Sequence, residues 1–420
     1  MPKIKRIYLD HAATTPVDPV VFAKIRPYFS EKFGNPMSVH SFGQEAMAAV
    51  DQARVQVAYF LRCQPKEIVF TSGATESNNL AIRGTLKAYQ AKKENQGVIP
   101  HIITTQFEHH CVLNTCQELE KEGQIEVTYL SVYADGLVRL ADVKRALKSN
   151  TILVSVMYVN NEIGTVQPIV EIGQLLREAH SVERIARNSK RSTFRDTRSK
   201  ILFHTDATQA VNYFDCDVNK LDVDLLSLSG HKIYGPKGVG ALFIRDKSAI
   251  THVQSGGDQE AGMRAGTHNV PGIVGMAEAI RQIKSSKSKV KNNEILKLRN
   301  YLIKKVLKEI PKSHLNGSLD QRSPNNANFR FDDVEGEGLI LSLDMEGVAA
   351  STGSACSSGS LDPSHVLLAL GLKHEQAHGS LRLTLGKSTT KQEIEYAVKI
   401  LKKIVSRLRK ISGDVLKEFK

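Results

Sequence analysis

The sequence predicts an α/β fold: a large domain built on a mostly parallel seven-stranded sheet, joined to a smaller α+β domain. Three observations carry that expectation. First, seven short, nearly continuous apolar runs recur through the first two-thirds of the chain. They are "EIVF" at Ile68, "HIITT" at Ile102, "IEVTYLSV" at Val127, "TILVSVM" at Leu153, "ILFHT" at Phe203, "VDLLSLS" at Leu225 and "VGALFIR" at Leu242. Runs of this kind suit strands buried on both faces. Second, amphipathic stretches such as "TESNNLAIRGTLKAYQAKKE" lie between the early runs, as parallel connections require. The last two runs share a short Gly/Pro-rich loop, which allows an antiparallel pair there. Third, the pattern changes after about Val270. A long helix near 287–309, strands in "NNANFRF" and "GSLRLTLG", and a final helix from about Thr389 read as α+β. The expected limits are 18–270 for the large domain, and 1–17 with 271–420 for the small one.

Composition narrows the function. The 420 residues suit two domains, and no apolar run reaches the length of a membrane span. "MPKIKRIYLDHAATTP" has no apolar stretch long enough for a signal peptide, so the expected compartment is the cytoplasm. Five cysteines, with no C-x-x-C, argue against a disulfide framework or a structural zinc site. Cys111 and Cys116 read as small buried hydrophobes. The net charge of +13 falls mostly on the solvated faces of helices. One stretch differs: residues 181–200, "SVERIARNSKRSTFRDTRSK", are basic, polar and poorly periodic, and read as an exposed insertion. Nucleic-acid binding is kept only as an accessory role of that stretch, because no binding motif or aromatic interleaving accompanies the charge.

In a parallel α/β sheet, ligands gather at the carboxyl ends of strands. Five strands here are followed by polar segments: "TSGATESNN", "QFEHH", "YVNNEIG", "DATQA" and "GHKIYGPKG". In the first, a turn at Gly73 opens a helix near Ala74 and Thr75, a setting for anion binding; capping by Ser72 or Thr75 is the plainer reading. Lys232 lies just past a buried strand beside Ser229 and His231, where desolvation favours an amine nucleophile. Asp206 ends another buried strand and needs a cationic partner, with Gln209 three residues on. Pyridoxal phosphate requires a Schiff-base lysine, an acid for its ring nitrogen and an anion site, and His109 is a candidate to lie flat on its ring. "HEQAH", His374 to His378, matches the H-E-x-x-H zinc signature, but it is very short and runs straight into "GSLRLTLG".

"YLDHAATTP", "FGNP", "TSGATESNN", "EHH", "NNEIG", "DATQ", "SGHKIYGPKGVGAL", "GMRAGT" and "GSACSSGSLDPSHVLLALGL" follow one another in order. This set resembles the cysteine desulfurases, fold-type I pyridoxal phosphate enzymes of the class V aminotransferase-like group, nearly end to end. The resemblance implies that Lys232 binds the cofactor covalently, Asp206 pairs with its ring nitrogen and Gln209 binds its phenolic oxygen. It implies that His109 stacks on the ring and moves protons. Ala74, Thr75, Ser229 and His231 would hold the phosphate, and Thr267 would reach the phosphate of a neighbouring subunit in a homodimer. Asn161 and Arg382 would orient substrate, Arg382 by a two-pronged grip on its carboxylate, with Asn35 a further candidate. Cys356, alone among small residues in "STGSACSSGS", would take sulfur from L-cysteine as a persulfide and leave L-alanine. That sulfur would pass to iron–sulfur scaffold proteins, sulfur carriers or tRNA-thiolating enzymes. Two departures from the family pattern stand out. They are the insertion at 181–200 and a C-terminus lacking the tail by which bacterial relatives dock a scaffold protein. A selenocysteine lyase or another class V lyase or aminotransferase is the alternative; an aminotransferase has no need of Cys356.

Overall fold

The computed structural model describes residues 6–188, 201–283, 286–353 and 363–418. After a two-residue strand β1 (Ile7–Tyr8), the seven expected strands form in order. They are β2 (Ile68–Thr71), β3 (His101–Thr105), β4 (Glu126–Leu130), β5 (Thr151–Ser155), β6 (Leu202–Asp206), β7 (Leu225–Ser229) and β8 (Gly240–Ile244). They make one sheet in the order β2-β8-β7-β6-β5-β3-β4. Neighbours from β7 to β4 run parallel, and β8 runs against both β7 and β2. The short loop between β7 and β8 leaves no room for a crossover helix, so β8 must turn back. Because β8 is reversed against both neighbours, β2 points the same way as β3, β5, β6 and β7. All five carboxyl ends therefore meet at one rim.

The unbroken apolar runs have a direct cause. Successive residues of a strand face opposite sides, and here both sides are covered. Phe70, Ile103, Val154, Phe203, Leu226 and Phe243 enter one core. Their neighbours Val69, Ile102, Leu153, Leu202, Leu225 and Leu242 enter the other. The second half adds β9 (Ser313–Leu315), β10 (Asn326–Phe331), β11 (Val348–Ala349) and β12 (Ser380–Thr384). β12, β10 and β9 form an antiparallel sheet, backed by the helices Ser286–Glu309, Gly336–Met345 and Lys391–Glu418. β1 pairs with β11, and Leu9 joins this second core. The helix Val270–Ile283 begins at the expected domain limit, yet its Ile273, Met276 and Ile280 pack into the core of the large sheet. Val366, Leu367 and Ala377 join that core as well.

The N-terminal segment stitches the two sheets together. Thr384 N donates to Leu9 O (2.7 Å), and Thr15 Oγ1 donates to His231 O (2.8 Å). One feature departs from the sequence reading, and the segment His374–His378 is as short as its sequence suggests. The helix Ile169–Asn188 carries its backbone through the first eight positions of the expected insertion, and 189–200 lie outside the described residues. His374–His378 forms a five-residue helix with His374 and Glu375 exposed. Among the described residues, no helix is long and apolar enough to cross a membrane.

Candidate active site

At the common rim lies a cavity of about 580 Å3. Each strand end contributes to its wall. β2 delivers Ser72 and Gly73 and then the helix Ala74–Gln90, which starts at Gly73 with no side-chain cap. Its first amides thus keep their donors for a ligand, at the positive end of a 17-residue helix dipole. Gly240 on β8 makes this turn possible: a Cβ there would stand 2.7 Å from the Gly73 backbone. After β3, His109 caps the helix His110–Lys121, its Nδ1 accepting from Cys111 N at 3.2 Å. Burial lowers the His109 pKa, Asp206 counters it and Lys232 adds to the fall, so the ring is neutral at pH 7.

β6 ends in Asp206, which is 5% exposed. Its hydrogen bonds come from neutral donors, Asn78 Nδ2 (2.7 Å) and Thr208 N (2.9 Å). β7 ends in Ser229, and the turn Gly230–Lys232 follows at once. Lys232 Nζ donates to the carbonyls of Ala12 (2.6 Å) and Ala13 (2.7 Å), and Gln209 Nε2 donates to Ala12 O (3.0 Å). Burial, then Lys232 and Lys237, push the His231 pKa down to about 4. Arg382 reaches the cavity from β12, its Nη1 on Asn161 O (2.9 Å) and its Nη2 on Asp10 Oδ1 (2.8 Å). Three buried polar atoms on residues lining the cavity have no hydrogen-bond partner: Asn161 Oδ1, Thr208 Oγ1 and Arg382 Nε. Buried polar atoms are nearly always paired, so the cavity is built for a polar ligand.

Ten of the residues singled out in the sequence line this one cavity: Ala74, Thr75, His109, Asn161, Asp206, Gln209, Ser229, His231, Lys232 and Arg382. Asn35 and Thr267 are exposed and do not line it; the Asn35 side chain instead accepts from Met37 N at 3.0 Å. Cys356 lies outside the described residues, but Gly353, three residues before it, reaches the site. Gly353 lines the cavity at φ +102, where a Cβ would come within 2.9 Å of Glu162 Oε2. Ser364 Oγ donates to that same oxygen at 2.5 Å.

Several groups around the site carry little signal in the sequence. Asn78 lies four residues after Ala74, one helical turn on, and that spacing was the available signal. Asp10 and the carbonyls of Ala12 and Ala13 carry no local signal, because their contacts are made across some 220 or more residues of chain. Cys111 corrects an expectation: it is half-buried rather than core, lines the cavity and receives Asn78 Nδ2 at 3.0 Å. Burial, with Asp206 adding, pushes its pKa up to about 12, so it remains a thiol. Cys116 is buried as expected.

Fold and cavity together define a class. The family model for class-V aminotransferases matches residues 7–184 and 192–397. The cysteine desulfurase IscS of Clostridium botulinum (strain Hall) is 47% identical over 410 residues, 97% of this chain and 96% of that protein. The cysteine desulfurase IscS of Methanosarcina thermophila is 45% identical over 416 residues, 99% of this chain and 96% of that one. Among solved structures, a NifS-like protein matches with a TM-score of 0.84 at 33% identity, covering 96% of this chain and 99% of its own. SspA in complex with cysteine matches with a TM-score of 0.75 at 37% identity, covering 91% and 100%. The chain belongs to the cysteine desulfurase family.

Proposed function

We propose that this enzyme uses pyridoxal 5'-phosphate to take sulfur from L-cysteine, yielding L-alanine and a persulfide on Cys356. One observation carries the reading: an amine at Lys232, a buried carboxylate at Asp206 and an uncapped helix start at Ala74 surround a single cavity. The cofactor has an aldehyde, a ring nitrogen and a phosphate to match them. Asp206 fits a protonated ring nitrogen, since its present donors are neutral and a buried carboxylate favours a cationic partner. The amides of Ala74 and Thr75, with Ser229 and neutral His231, suit the phosphate. Gln209 suits the phenolic oxygen.

When bound, the cofactor supplies an electron sink for the bonds at the substrate's α-carbon. The chain's own residues do the rest. Lys232 Nζ would hold the cofactor, and its amine would move protons at the substrate's α-carbon. His109, neutral and half-buried, stacks on the ring and carries a proton. Arg382, at the cavity wall, takes the substrate carboxylate, and Asn161 orients it. The Cys356 thiolate attacks the substrate sulfur, and an S–S bond forms as the C–S bond breaks. The electron pair of that bond goes to carbon, which takes up a proton and leaves as alanine. Thr267 and Asn35 do not line the cavity of their own chain; a homodimer in which Thr267 reaches the phosphate of the second copy belongs to the proposal. The outer sulfur then passes to an acceptor protein in the cytoplasm, for iron–sulfur assembly or tRNA thiolation.

The test is turnover of L-cysteine by the purified protein with a thiol reductant. Alanine and sulfide should appear in equal amounts. Cys356→Ser should retain the cofactor's absorbance and its spectral response to cysteine but form no persulfide by mass spectrometry. Full turnover in that variant would remove Cys356 from the mechanism.

A further inference from the structure

The phosphate end of the site holds an apparent contradiction. The first turn of the helix Ala74–Gln90 carries Glu76, a negative charge beside amides proposed to bind a dianion. Like charges at this separation repel, and the more so where water is partly excluded. Burial alone would raise the Glu76 pKa, but contacts from Arg264 and Ser72 outweigh it and hold the carboxyl below its usual range. Glu76 is therefore ionised at neutral pH.

Glu76 does not line the cavity, and its carboxylate is held by two partners instead. Oε2 accepts from Ser72 N at 2.7 Å, and Oε1 accepts from Arg264 Nε at 2.8 Å. Arg264 Nη2 stands 3.5 Å from Oε2. Arg264 comes from a different part of the chain, 188 residues away. Its segment is itself held firmly. Glu260 receives both Nη1 and Nη2 of Arg54 at 2.7 Å, Phe70 N at 2.9 Å and His268 Nε2 at 2.8 Å. Glu260 and Ala261 adopt φ of 52° and 55°, left-handed values that side chains other than glycine's seldom take. Strain of that kind persists only where surrounding contacts over-determine it.

We propose that Arg264 is an affinity-determining residue for the cofactor phosphate although it does not touch the cavity: it neutralises Glu76 and keeps that carboxylate turned back on Ser72. This rests on the reading of the site as a pyridoxal phosphate site. Without Arg264, the Glu76 charge would act unopposed on the dianion at the helix start. The loss should be specific to the phosphate, should shrink as salt screens it, and should vanish when Glu76 is also neutral.

The experiment is equilibrium rebinding of pyridoxal 5'-phosphate, and in parallel of pyridoxal, to full-length apoprotein prepared from the holoenzyme. Arg264→Met should weaken pyridoxal phosphate binding about tenfold, equivalent to about 1.4 kcal/mol, and change pyridoxal binding less than about twofold. Raising the ionic strength should narrow the phosphate-dependent gap. Glu76→Gln combined with Arg264→Met should restore affinity to within about threefold of wild type. If Arg264 merely tethers its segment, the double variant will bind as poorly as the single one, and the proposal is overturned. Equal losses for pyridoxal and its phosphate would overturn it as well. Wild-type protein that binds neither compound would instead sink the cofactor reading itself, a separate outcome.

Discussion

Lys232, with Nζ on the Ala12 and Ala13 carbonyls, is the amine proposed to bind the cofactor covalently. Lys232→Ala should therefore remove the yellow absorbance of the purified protein and reduce turnover by several orders of magnitude. A variant that keeps both would place the cofactor elsewhere. Glu108 makes a second prediction, on stability. It is fully buried, and burial raises its pKa to about 8, with Asp206 adding to the rise. The folded chain then holds a proton that the unfolded chain has lost above about pH 4.5. Stability must fall as pH rises toward 8. The buried His204 and the half-buried His231 act oppositely, since both pKa values are lowered to about 4, but their effect ends near pH 6.5. Between pH 6.5 and 8 the Glu108 slope is exposed, worth about 2 kcal/mol over that window. Glu108→Gln should flatten it, as read from the change in thermal midpoint between those two pH values. A slope equal to wild type in the variant would mean that Glu108 is ionised throughout.

The same rim that gathers these side chains depends on how elements meet. Gly240 lets β8 lie against the turn at Gly73, and a methyl group there would collide with backbone that cannot swing aside. Gly240→Ala should displace the start of the helix Ala74–Gln90 and weaken cofactor binding more than tenfold, measured by the same titration; unchanged affinity would show that the turn tolerates a shift. How far this was legible in the sequence differs by element. All seven strands of the large sheet could be read: six because burial on both faces leaves unbroken apolar runs, and the edge strand β4, whose residues are only partly buried, from its β-branched and aromatic residues. Asp206, Ser229 and Lys232 could be placed, because each follows such a run directly. The β2–β8 pairing could not be read, since both strands look alike whichever neighbour they take. Nor could Asp10 beside Arg382, or Arg264 beside Glu76: those contacts join distant segments, and only the fold brings them together. Cys111 was misread because its helix looks amphipathic, while its position in the first turn opens it to the cavity.

At the scale of the whole molecule, one stretch of chain is rich in exposed apolar groups. Phe22, Phe29, Phe33, Val39 and Phe42 lie within 21 residues of chain and are each more than half exposed, Val39 at 89%. Phe33 and Phe42 stand 5.7 Å apart, ring to ring, so these two form one exposed apolar patch. Large apolar groups so placed mark contact surfaces more often than solvent-facing ones. Asn35 lies within the same stretch, and Thr267 is exposed as well. The proposed homodimer would account for both facts together: it would bury these apolar groups, and it would bring Asn35 and Thr267, which do not line their own cavity, toward that of a partner. Charge placed on the patch should then act at a distance. Phe42→Glu should shift the protein toward monomer in sedimentation equilibrium, and its affinity for pyridoxal 5'-phosphate should fall as dimer is lost, since Thr267 of the second copy is withdrawn. At protein concentrations high enough to restore the dimer, the affinity should recover. A monomeric variant that binds the cofactor as tightly as wild type would separate assembly from the site and show each chain to be complete alone.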